Sequence, residues 1–294
     1  MGKAKKETRA AKHSTWKELR EQIRQKRTTF IVWSVLRVVV ILVAIWCVLR
    51  HQWESFFNCL LTLLLFMAPT FVEKKLQLRL PSALENTVLV FIFCAQILGE
   101  IACFYIQYPL WDKMLHTING FLFAAFGFCL VDLLNEHKRF RFALSPMFQA
   151  VMAFCFSMTI GIAWEFFEFS ADKFLGLDMQ KDRVITEFQS VTLDETQSNI
   201  PIPVHGITKT TIETADGSTY VIDGYLDIGL IDTTEDLFVN FIGATVFCVV
   251  GWIYVYRRGK NRLAAAFIPV VAKPDEDAEP DENKSTGDTD PQTL

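Results

Sequence analysis

The chain lacks the compact motifs that usually announce a chemistry. There is no CxxC pair, no disulfide-like spacing and no HExxH, although seven cysteines and five histidines are present. Without those spacings the sequence offers neither a disulfide framework nor a compact metal motif. Charge is scarce as well: Asp, Glu, Lys and Arg make up 21% of the residues, against 51% hydrophobic and 13% aromatic. No internal inverted repeat is visible, and the polar residues stay toward one side of the apolar runs instead of reaching their middles. Both features argue against a secondary transporter. Cys47, Cys59, Cys94, Cys103, Cys129, Cys155 and Cys248 fall in or beside apolar runs. They are read as small lipid- or helix-facing residues.

What the chain does have is apolar length. A run of about 20 apolar residues crosses a bilayer as a helix. Residues 30–49, 55–71, 87–105, 115–134, 147–169 and 237–256 are such runs, with 55–71 the shortest. The expected fold is therefore an all-α polytopic membrane protein with six transmembrane helices and a small extracytoplasmic β-rich loop. The expected organisation is a basic N-terminal segment at 1–29, helices one to five at 30–169, the loop at 170–232, the sixth helix at 233–257 and an acidic tail at 258–294. Within the loop, strand-like stretches flank Ala215-Asp216-Gly217, a hairpin signal. The tail from Pro274 onward is rich in Asp, Glu, Pro, Ser and Thr and is expected to be disordered.

The net charge of -4 conceals an asymmetry, because residues 1–27 carry ten Lys/Arg against three Asp/Glu. That basic segment is expected to form a short amphipathic helix from Ser14 or Thr15 through Trp16, Leu19 and Ile23, lying on lipid and not on nucleic acid. Its length and its want of a small-residue cleavage site set it apart from a cleaved signal peptide. Lys74, Lys75 and Arg79 follow the second run, His137, Lys138, Arg139 and Arg141 the fourth, and Arg257, Arg258, Lys260 and Arg262 the last. Alternate junctions are thus cationic, which predicts a multi-pass membrane protein with both termini in the cytoplasm. Arg37, within the first run, is expected to snorkel. Ser82 with Glu85, and Asp232 with Glu235, fit capping boxes, and Ser145-Pro146 fits a cap and first turn.

Carboxylates inside lipid are costly and need partners, a proton or a cation. Glu165 and Glu168 sit three apart near the end of the fifth run, on one helical face. With the expected topology, His116 lies one turn below Asp112, and Asp232, Asp236 and Asn240 form one stripe on the sixth helix. His116, Glu165, Glu168, Asp236 and Asn240 then share a depth in the outer leaflet, and Glu100 can join them from the third helix. Gly120, Gly161 and Gly243 on the same helices permit close approach. Each residue has a plainer reading beside this one: Asp112 as a helix N-terminal acid, Glu168 as solvated among headgroups, His116 as a packed histidine, the whole cluster as interhelical glue. As a site, His116, Glu165, Glu168 and Asp236 are candidate metal ligands, with Asp112, Asn240 and Glu100 as further binding residues. The mixed nitrogen and oxygen set suits zinc or manganese better than calcium. Glu165, Glu168 and His116 are also the candidate catalytic groups if the metal activates water.

The segments Asp112-Lys113-Met114-Leu115-His116-x-x-x-Gly120, Trp164-Glu165-x-x-Glu168 and Asp232-Thr233-x-x-Asp236-x-x-x-Asn240-x-x-Gly243 resemble the signature of the YjdF-like bacterial inner-membrane proteins. More distantly they resemble the VanZ-like proteins linked to glycopeptide (teicoplanin) resistance. The resemblance covers about half the chain. It implies functional interest in His116, Glu165, Glu168, Asp232, Asp236 and Asn240, and departs from this chain at the long β-rich loop and the acidic tail. The expectation is an envelope membrane protein binding a divalent cation or small ligand. The alternatives are a metal-assisted hydrolase of a lipid-linked envelope substrate and a structural subunit with unknown oligomeric partners.

Overall fold

The computed structural model describes residues 27–76, 78–136, 144–257 and 265–271. The expected N-terminal amphipathic helix, the basic stretch at 137–141 and the acidic stretch from Pro274 onward lie outside them, whereas residues 265–271 of the expected tail are described. Among the described residues six helical spans are long and apolar enough to cross a membrane. The first span is α1 (Arg27–Leu49). The second is built from α2 (Trp53–Leu65) and α3 (Ala68–Leu76), parted by a turn at Phe66-Met67. Pro69 lies in the first turn of α3, where its missing N–H costs nothing. The third is α4 (Ser82–Phe93), which widens into a π-helical stretch, Cys94–Ile101. After the short α5 (Phe104–Gln107) come α6 (Trp111–Glu136) and α7 (Pro146–Leu175), and α8 (Leu230–Tyr256) is the sixth span.

Two packing units follow from the sequence. Val40 and Ala44 of α1 meet Cys59 and Phe66 of the second span and Leu89 and Ile97 of the third. The other unit joins α6, α7 and α8 through Ala124, Ala125, Phe128, Ala153, Ala244 and Phe247. Large apolar side chains such as Leu42, Phe57, Phe166 and Phe238 point outward, as lipid-facing positions should. The Arg37 guanidinium lies 3.8 Å from the ring centroid of Trp33, one turn toward the start of α1, which is a snorkelling geometry.

The helices run further than the apolar runs. Helix α7 continues six residues past the expected 169 and stops at Leu175, where Gly176 takes a left-handed conformation (φ 66°). Its start matches the expected cap, since Ser145 Oγ accepts from the Phe148 amide at 3.2 Å. Helix α8 begins at Leu230, behind Gly229, so Asp232 lies inside the helix and not at its cap. The end of α8 is held instead by Asp227, whose Oδ2 accepts from the Ile231 amide at 2.8 Å. Likewise Pro81 occupies the N-cap of α4, and Ser82 is already helical. Neither expected capping box forms.

Between α7 and α8 lies a cap of three two-stranded antiparallel ladders. Strands β2 (Val184–Ile185) and β7 (Tyr225–Leu226) pair, as do β3 (Phe188–Ser190) with β4 (Ile202–Val204) and β5 (Thr210–Glu213) with β6 (Thr219–Ile222). The last is the hairpin signalled by Asp216-Gly217, with Gly217 at φ 86°. At the opposite end of the bundle β1 (Leu78–Arg79) pairs with β8 (Val270–Val271), and Phe267 before it packs edge-to-face on Phe121 with centroids 5.1 Å apart.

Within the cap, Asp194 organises its own turn. Its carboxylate accepts from Thr196 Oγ1 at 2.6 Å and from the amides of Thr196, Ser198 and Ile200. These bonds, led by the Thr196 hydroxyl, hold its pKa down at about 2. A depressed carboxylate stabilises the fold above its unfolded value, and that stabilisation goes as pH falls through the folded one. Protection of the Ser198 and Ile200 amides against exchange should therefore decline between pH of about 4 and 2, while the helical bundle keeps its protection. Asp194→Asn should lack that step. A second prediction concerns packing: a Cβ on Gly243 would stand 2.0 Å from the Thr117 carbonyl oxygen. Gly243→Ala should lower stability by about 1–3 kcal/mol, read as a lower thermal midpoint in detergent.

Candidate metal centre

Three helices supply the polar residues, and small residues bring them close. Gly243 of α8 faces the Thr117 carbonyl, Gly120 of α6 faces the Asn240 carbonyl, and Gly161 of α7 faces the Asn240 side chain, each too close for a Cβ. Ser157 Oγ donates to the Gly120 carbonyl at 2.7 Å and fixes α7 against α6 at this level. One to two turns toward the cap, helical spacing then sets Asp112 and His116 on α6, Glu165 and Glu168 on α7, and Asp232 and Asp236 on α8 against one another.

His116 is at the centre. Its Nδ1 lies 3.7 Å from Glu165 Oε1 and its Nε2 lies 3.6 Å from Asp112 Oδ1. Ligand atoms of His116, Glu165 and Glu168 fall within 4.8 Å of one another, and so do those of Asp112, His116 and Asp236. The residues are buried except Asp112, which is half-buried; Glu165 is 4% exposed and Asp236 1%. Both oxygens of Glu165 and both of Asp236 have no hydrogen-bond partner among the described residues. Glu168 is better supplied, because Trp164 Nε1 donates to its Oε1 at 2.9 Å. A buried carboxylate with no donor requires a proton or a cation nearby.

The other sequence candidates are distributed around this core. Asn240 is buried one turn deeper, with Nδ2 3.4 Å from Met158 Sδ, and belongs to neither ligand set. Asp236, grouped by sequence with Glu165 and Glu168, instead shares its set with Asp112. Glu100 is exposed at the end of the π-helical stretch, within electrostatic range of Asp112 and Lys181 but outside both sets. The π-helix and the left-handed Cys103 (φ 58°) turn the chain back there, a change of path that a hydropathy window cannot register.

Sequence reasoning named Lys113 but missed Tyr105, Arg183 and the loop that closes the cap end. Tyr105 folds back on Gly99, whose Cβ position is 2.3 Å from the ring, and lies within range of the Asp112, Glu100 and Glu168 charges. Lys113 and Arg183 both pair with Glu235, Arg183 Nη2 at 2.7 Å from Oε2, which ties the cap to α6 and α8. A strap formed by residues 179–183 closes the cap end: Asp172 accepts from the amides of Met179 and Gln180, Asp232 Oδ2 from the amide of Lys181 at 2.9 Å, and Asp227 from the amide of Arg183. Gln180 Nε2 also donates to Thr233 Oγ1 at 2.6 Å, and this pair faces Glu165. The recurring Asp residues on both sides of the loop were the available signal. They cap backbone amides, which pattern reading cannot assign to a partner 50 residues away.

A family model described as "Predicted membrane protein (DUF2238)" matches residues 31–257. The chain belongs to the DUF2238 membrane-protein family. An uncharacterized protein of Thermotoga maritima is 27% identical to this DUF2238 protein over 108 residues, which is 37% of this chain and 54% of that relative. The chain thus spans about half the length of the curated relative it matches. No solved structure matches it.

The strap makes its own prediction. Asp232→Ala removes the acceptor of the Lys181 amide and leaves that donor half-buried, a loss of about 1–3 kcal/mol locally. Trypsin should then cut after Lys181 or Arg183 several-fold faster than in the wild type, with the helical spans still intact.

Proposed function

We propose that this membrane protein holds a divalent cation on His116, Glu165 and Glu168, zinc or manganese in preference to calcium. The carrying observation is Glu165, a carboxylate between three helices whose two oxygens lack a donor among the described residues. His116 Nδ1 and a Glu168 oxygen stand within ligand reach of it. A neutral imidazole with two carboxylates is a borderline set that suits Zn²⁺ or Mn²⁺, whereas calcium prefers oxygen alone. The reading of the cluster as simple interhelical glue is less well supported, because glue consists of hydrogen bonds, whereas among the described residues Glu165 is approached only by the neutral Gln180 and Thr233 side chains and the Asp236 oxygens have no partner.

The setting we propose is the bacterial plasma membrane, with the cap and the site on the outer side and both termini in the cytoplasm. Lys74, Lys75, Arg79 and Arg257 gather at the end opposite the cap, where β1 and β8 pair, and positive charge at one end favours the cytoplasmic side. The resemblance to YjdF-like proteins, and more distantly to VanZ-like ones, belongs to the same reading. Three protein ligands leave a coordination position open for water or substrate. That favours, as a second reading, a metal-assisted hydrolase of a lipid-linked envelope substrate, in which Glu165 or Glu168 takes the proton of the attacking water.

Metal analysis of the detergent-purified full chain tests the proposal. Wild type should retain stoichiometric metal, His116→Ala should lose it, and Glu165→Gln should retain markedly less. A metal-free wild type, with both variants losing heat stability, overturns the cation reading and leaves a structural polar network.

A further inference from the structure

One cation at the Nδ1 side of His116 does not account for the other side of the ring. Nε2 faces Asp112 at 3.6 Å, and Asp112, His116 and Asp236 bring one ligand atom each within 4.8 Å of one another. Asp236 is 1% exposed, and neither of its oxygens has a partner among the described residues. Its oxygens are not among the mutually close ligand atoms of His116, Glu165 and Glu168. Among the described residues no side-chain cation pairs with it: Lys113 is engaged with Glu235, and Arg183 with the same carboxylate. Two buried carboxylates, Glu165 and Asp236, thus group with His116 in two different sets, each with its own need for positive charge.

We propose that His116 serves two divalent cations, the second held at Nε2 by Asp112 and Asp236. This rests on the reading of the first site given above. The four carboxylates Asp112, Glu165, Glu168 and Asp236, with the imidazolate that two ions would share, carry five formal negative charges, of which two divalent ions offset four and one offsets two. A ring nitrogen binds such ions at about 2.0–2.1 Å, so ions on the two nitrogens stand roughly 6 Å apart. Occupying both nitrogens removes the ring N–H, and the second ion therefore displaces one proton from the imidazole to solvent. Asp232 stays outside the second set with Oδ2 engaged by the Lys181 amide, and the strap it anchors covers the pair of ions from the cap side.

The experiment is a titration of the chelator-stripped full-length protein in detergent with Mn²⁺ and, separately, Zn²⁺. Calorimetry in two buffers of different ionisation enthalpy gives the number of ions and the protons released, and Mn²⁺ electron paramagnetic resonance reports whether two ions are coupled. Wild type should bind two ions per chain, with about one proton released with the second. Asp236→Asn and Asp112→Asn should each bind one ion, give the spectrum of isolated Mn²⁺ and lose the proton release. Glu168→Gln should retain binding at the other position, and His116→Ala should weaken both by at least tenfold. Asp112, half-buried at the rim, keeps the test open if Asp236→Asn does not fold. Saturation of wild type at one ion, with Asp236→Asn binding it at unchanged affinity, overturns the second position and leaves the first standing. No binding by wild type at all overturns the first site as well.

Discussion

Everything around the centre of this protein depends on placing carboxylates in a low-dielectric space between helices that nearly touch. Glu165 and Asp236 are out of water and without donors. Their charge is tolerable only with a proton or a cation close by, because burial of an unpaired ion costs several kcal/mol. The helices must approach closely for His116 to stand between them, and Gly120, Gly161 and Gly243 are where that approach occurs. Close packing and charge placement are thus one requirement met by one set of residues.

The remainder of the bundle has a supporting part. Spans one to three form their own apolar contacts, and their contribution near the site is the turn after the π-helical stretch, which sets Tyr105 beside the carboxylates. The cap does more. Its strap is fastened by Asp172, Asp227 and Asp232 through backbone amides, and by Gln180 to Thr233. A polar strap tied by charge-assisted bonds lies over the buried carboxylates on the cap side, and whatever water it excludes strengthens the electrostatic interactions beneath it.

Much of this was legible in the chain. Six apolar runs at transmembrane length, the small-residue positions and the depth-matched polar residues on three helices follow from periodicity and hydropathy, and the structure has all six spans. His116 with Glu165 and Glu168 was legible because residues distant in sequence shared a depth and faces that helical rotation defines. Asp236 was read together with His116, Glu165 and Glu168, and it does group with His116, but beside Asp112: depth says which level a side chain occupies, while its azimuth toward Asp112 depends on how α6 and α8 cross. Glu100 was misassigned because a π-helix rotates the residues after it, and no pattern of apolar spacing carries that rotation. Asp232 resembled a cap because helix ends were read from apolar runs, whereas α8 begins before its own, at Leu230.

The pairing of β1 with β8 couples the loop before the third span to the chain beyond the sixth. During synthesis the first strand emerges long before the second, so its two residues wait without their partner until the sixth span has been made. The bundle is then closed by its last described segment, with Phe267 seated on Phe121 and Pro269 wholly buried. Completion of the membrane core is therefore deferred until all six spans have been made, because these last contacts come from the chain beyond the sixth.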